Sequence, residues 1–84
     1  MKICALRSNE EVPELDHVIV VRLAYERFEV SGTAGCKRSN VIYLRPVSYS
    51  QQSDALKCAR EFADAHALRS IYVKGFHIRP APTL

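Results

Sequence analysis

Cys36 lies beside Lys37 and Arg38. Neighbouring positive charge lowers a thiol's pKa and raises its thiolate fraction, the form that attacks electrophiles and responds to oxidants. A second chemical grouping is His77 with Arg79 and Arg45. A ribonuclease needs an acid or base and positive charge around a scissile phosphate, and these residues supply both types. No spacing among them requires that use. Cys58 and His66 share one predicted helix but stand eight residues apart. That is roughly 12 Å along a helix axis, too far for a nucleophile and its base. The three Cys and three His form no C-x-x-C or H-x-x-x-H pair, so short metal-ligand spacing is absent. The expectation is a protein without catalytic residues, metal or cofactor.

Two further stretches invite a nucleic-acid reading. In Gly32-Thr33-Ala34-Gly35-Cys36-Lys37-Arg38-Ser39, glycines free the backbone to approach phosphate and the cations add charge. The spacing departs from the P-loop pattern. The Gly32–Gly35 unit fits the GXXG signature of KH domains, but there the loop joins helices. Here the flanks read as strands, so a hairpin turn with a basic tip is preferred. Lys74-Gly75-Phe76-His77-Ile78 matches only the start of the RNP1 motif, in the wrong element order for an RRM. An ordinary strand is the better reading.

Charge is distributed unevenly. Residues 30–53 contain no Asp or Glu and carry Lys37, Arg38 and Arg45, while residues 65–84 contain none and carry Arg69, Lys74 and Arg79. Glu10, Glu11, Glu14 and Asp16 crowd one N-terminal segment, and the whole chain sums to +3. Such asymmetry points to a charged partner.

The elements that would position these residues follow from periodicity. Gln52, Ala55, Leu56, Ala59, Phe62, Ala63 and His66 recur at helical spacing, predicting a helix from about Ser50 to Leu68. Ser50 or Ser53 is the expected N-cap, with Asp54 near the positive end of the dipole. Ala55, Ala59 and Ala63 would let this helix lie close to a sheet. Val18–Tyr25 is β-branched, and Ile19, Val21, Leu23 and Tyr25 look the better core face. Phe28 and Val30 continue the pattern out of phase, which a bulge near Glu26 or Arg27 would correct. Ser31–Asn40 reads as a hairpin loop, Val41–Val47 as the returning strand with Pro46 marking its end or an edge, and Ser70–Ile78 as a strand with a bulge at Gly75. Ile3–Leu6 adds a strand at the start. Ser8–Asp16 reads as a solvated acidic loop.

The expected architecture is α+β: one domain over residues 1–84, a mostly antiparallel sheet of about four strands in the order β-β-β-α-β, one helix on one face, and a mobile proline-containing tail at about 79–84. The other face would stand in water as a binding surface, lined by Tyr43 with Arg45 and Tyr72 with Lys74. A chain of 84 residues buries only about 60–65% of its unfolded surface. An odd cysteine count and the lack of a signal-like or membrane-spanning apolar run predict a soluble, cytoplasmic protein with reduced thiols.

In size and general character the chain is similar to small proteins encoded by phages and mobile elements, anti-CRISPR inhibitors among them. That likeness implies a non-catalytic protein docking on a larger protein or nucleoprotein complex. Lys37, Arg38, Arg45, Arg69, Tyr72, Lys74 and Arg79 are the candidate partner-binding residues. Direct nucleic-acid binding by basic and aromatic strand residues, Tyr43, Tyr72 and Phe76 included, is the alternative, and a small ribonuclease toxin is a third reading. An uncovered edge strand would also permit a homodimer.

Overall fold

The structure is a computed structural model that describes residues 2–7, 9–13, 15–35 and 41–75. Among the described residues, five strands and one helix follow one another as β1 (Lys2–Leu6), β2 (His17–Ala24), β3 (Arg27–Ala34), β4 (Ile42–Tyr49), α1 (Gln52–Ala65) and β5 (Ser70–Lys74). The strands form one sheet in the order β1-β5-β2-β3-β4. The α+β class and the single helix on one face agree with the sequence.

The sheet is mixed. β2, β3 and β4 pair antiparallel, whereas β5 lies parallel to both β1 and β2. The fifth strand comes from the Phe28–Val30 stretch. It does not extend β2 past a bulge; the chain turns at Tyr25-Glu26, where Glu26 takes a left-handed φ of 59°, and returns as β3. A bulge does occur, on the β2 side between Arg22 and Ala24. β3 then runs to Ala34 and absorbs the first part of the expected loop.

The core face of β2 is the opposite of the expected one. Val18 and Val20 are fully buried with Val30, Ile71 and Val73, against Ala55, Ala59 and Ala63 of α1. The sequence alternation was ambiguous because both faces of β2 are apolar; the register with β3 decides it. Val20 sits opposite Val30 and Val18 opposite Gly32, so those side chains share one face.

Three alanines at i, i+4 and i+8 form the buried stripe of α1, and the helix approaches closely because no long side chain intervenes. Gly32 belongs to the same contact. A Cβ there would sit 2.6 Å from the His17 carbonyl oxygen and 3.0 Å from Phe62 Cε1. The N-cap is Gln51 rather than a serine, with no side-chain cap bond, and Asp54 does lie in the first turn. The C-terminus closes with a paired motif: Leu68 N–H donates to Ala63 O at 2.8 Å and Ala67 N–H to Asp64 O at 3.5 Å. Ala67 adopts φ 56° to do so, a conformation that glycine usually supplies.

The connection from β1 to β2 has to return along the sheet, because the two strands point the same way on either side of β5. On the face opposite α1, Cys4 and Leu6 of β1 are half-buried and Tyr72 of β5 is only 5% exposed. Thr33 Oγ1, also on this face, donates to Leu15 O at 2.6 Å. At the start of the connection Arg7 N–H donates to Glu10 Oε1 at 3.1 Å and Glu10 N–H to Arg7 O at 3.0 Å.

Two substitutions test this packing. Gly32→Ala should destabilise by about 1–3 kcal/mol, the ordinary cost of overpacking, read as a lower denaturant midpoint. Ala67→Gly should stabilise by about 0.5–1 kcal/mol by relieving the left-handed alanine, read as a raised midpoint at unchanged slope.

Candidate docking interface

The described candidate residues are not gathered into one patch. Arg69 precedes β5 at one end of the sheet, and Lys74 ends β5 at the other. Their separation along the strand is roughly 16 Å at 3.3 Å per residue. Arg45 lies on β4, two strands beyond β5's neighbour β2 in the direction away from β1. Lys37, Arg38 and Arg79 lie outside the described residues, as do Cys36, Phe76, His77 and the 79–84 tail.

Tyr72 departs from the expectation. Its side chain faces away from α1, as predicted, but it is buried and cannot offer a stacking face. At 5% exposure it shows that the middle of this face is covered where open water was expected. Gly75 likewise ends β5 rather than forming a described bulge. It takes φ 80°, and a Cβ there would meet the Arg22 carbonyl oxygen at 3.0 Å.

What remains exposed is concentrated on β4. Tyr43 is 70% exposed, and Val41, Ile42 and Val47 are exposed around it. Pairing with β3 puts Tyr43 opposite Thr33 on the face away from α1, and Ile42 and Val47 opposite Ala34 and Val30 on the α1 side. The pairing shifts by one residue between Val30 and Gly32, so Arg45 and Pro46 occupy a bulge opposite Ser31. This explains how a proline sits within a strand: β4 is an edge, and the bulge relieves the missing donor. A second exposed cluster lies at the β2–β3 turn. There Tyr25 is 81% exposed, Leu23 is exposed beside it, and the Arg22 guanidinium stands 5.9 Å from the Tyr25 ring centroid.

Sequence reasoning picked out Arg45 and Tyr43 but not their apolar neighbours. Ile42 and Val47 are five residues apart, so plain alternation would put them on opposite faces, and only the bulge at Arg45 and Pro46 brings both to the α1 side. Their exposure comes from β4 being an edge that α1 covers only in part, a property of strand order.

Where the end of β4 meets α1, a shallow groove is lined by Tyr49, Asp54, Lys57, Cys58 and Glu61. The Tyr49 hydroxyl is held above the ordinary phenol range, first by its hydrogen bond with Cys58, then by partial desolvation and the negative charge of Cys58, Glu61 and Asp54. Among the described residues no group of three or more His, Cys, Asp or Glu could hold a metal ion, and no helix is long and apolar enough to cross a membrane.

Searches of protein-family models, curated proteins and solved structures find no match to the chain.

The raised Tyr49 pKa has a definite sign in stability. A phenol that binds its proton more tightly when folded contributes its full stabilisation below the unfolded value of about 10. That contribution is lost as pH rises through the higher folded value. A tyrosine-resolved NMR titration should place Tyr49 above the ordinary phenol value of about 10, and Cys58→Ala should lower it.

Proposed function

We propose that the chain is a non-catalytic docking module that binds a larger protein or nucleoprotein complex and acts on it as an inhibitor or accessory factor. The observation that carries this reading is the exposed edge strand β4, which presents Tyr43 on the face away from α1, Ile42 and Val47 on the α1 side, and Arg45 at the bulge between them. Exposed aromatic and aliphatic side chains beside an arginine have the composition of an interface centre. Docking at this row works through side chains, because Pro46 and the bulge interrupt the backbone row that a strand-adding partner would use.

Direct nucleic-acid recognition draws less support. Of its described stacking residues only Tyr43 is accessible, and the basic residues Arg69, Lys74 and Arg45 lie on separate parts of the sheet, too scattered for one short phosphate track.

The test has two parts. Anisotropy with labelled DNA and RNA at about 50 and 200 mM salt should show no tight binding; tight binding that collapses with salt would replace this reading with nucleic-acid recognition. Affinity capture should then compare wild type with Tyr43→Ala and Arg45→Ala. A partner recovered with wild type should bind each variant about tenfold more weakly, or less tightly still, at unchanged thermal midpoint. Equal affinity for all three would remove β4 as the docking row.

A further inference from the structure

β1 is an edge strand with the sequence of an interior one. Its residues Ile3-Cys4-Ala5-Leu6 are apolar on both faces. Among the described residues it pairs with β5 only, and α1 contacts β2, β3, β4 and β5 but not β1. Ile3 is 40% exposed on the α1 side and Ala5 is exposed beside it. An edge of this kind is a template for another strand. The opposite edge, β4, is blunted by Arg45, Pro46 and a bulge; β1 contains neither a proline nor a bulge.

The hydrogen-bond parity of β1 is fixed. Lys2 N–H donates to Arg69 O at 3.2 Å, within the parallel register that pairs Lys2 with Ser70. Backbone groups alternate in direction along a strand. Lys2, Cys4 and Leu6 therefore bond inward to β5, while Ile3 and Ala5 turn their N–H and C=O groups outward.

We propose that β1 pairs antiparallel with β1 of a second copy of this chain about a two-fold axis at Cys4, joining two sheets into one. A second copy is the occupant that the register favours. Ile3 falls opposite Ala5 of the other copy as a hydrogen-bonded pair, matching the outward groups of both strands. Lys2 falls opposite Leu6, so no like charges within the strand meet directly. Ile3 and Ala5 from both copies form a continuous apolar strip on the α1 side, between the two helices. Cys4 meets Cys4 in a non-hydrogen-bonded pair, at a Cα separation of roughly 4.5 Å, inside the roughly 4.4–6.8 Å that a disulfide spans. The pairing is isologous and closes at two copies.

The experiment is sedimentation velocity on the full chain under reducing conditions across micromolar concentrations. Wild type should dimerise. Ala5→Pro removes an outward donor and no bond to β5, and should weaken the dimer by about tenfold or more while keeping the helical circular dichroism signal. Independently, Cys36→Ser with Cys58→Ala leaves Cys4 as the sole thiol. Mild oxidation by copper phenanthroline should then link two chains, each thiol giving up one proton and one electron to the oxidant. A wild-type chain that stays monomeric throughout overturns the proposal. So does a dimer that forms no Cys4–Cys4 link. If Ala5→Pro fails to fold, the cross-link decides alone.

Discussion

Everything in this molecule depends on how near α1 can come to the sheet. Ala55, Ala59 and Ala63 give the helix a surface with almost no side-chain relief, and Gly32 gives the sheet a matching gap beneath Phe62. The valines of β2 and β3 and the Ile71–Val73 pair of β5 then fill the remaining space. Five strands share a single helix, so the helix can serve only the middle of the sheet. What it leaves uncovered, β1 on one side and the outer row of β4 on the other, follows from that one contact.

The opposite face is served by different means. A parallel strand pair with β5 between its members requires the chain to travel back along the sheet, and the acidic segment after Arg7 makes that journey. On this face Tyr72 is buried and Cys4 and Leu6 are half-buried. The burial of Tyr72 removes a stacking surface from this face, and that favours a protein partner at β4 over a nucleic acid.

The helix was legible from Gln52 to His66 because its apolar positions recur at one period and its small residues fall on one line. β1 and β5 were visible as short apolar runs, and Pro46 marked an edge correctly. The core face of β2 was not legible, since Ile19 and Val21 are as apolar as Val18 and Val20, and only pairing with β3 breaks the tie. β3 itself was hidden by its composition: Ser31, Gly32 and Thr33 read as loop, yet Gly32 is there to admit the helix. Strand order was invisible for the same reason that parallel pairing was, because both depend on contacts between segments distant in sequence. The candidate residues Arg69, Lys74 and Arg45 were chosen for charge, and charge says nothing of which end of a strand faces which neighbour.

The bulge at Arg45 and Pro46 has a bearing on solubility. A sheet with two receptive margins can elongate by successive addition, each newcomer presenting a fresh margin to the next, and the product is a fibre. A proline in the outermost ladder denies the incoming chain a donor, and the kink turns the flanking peptide groups out of line. This sheet therefore has a terminator built into one side. In the proposed β1–β1 pairing, growth from the other side would stop after a single step, because each copy then offers only its kinked margin.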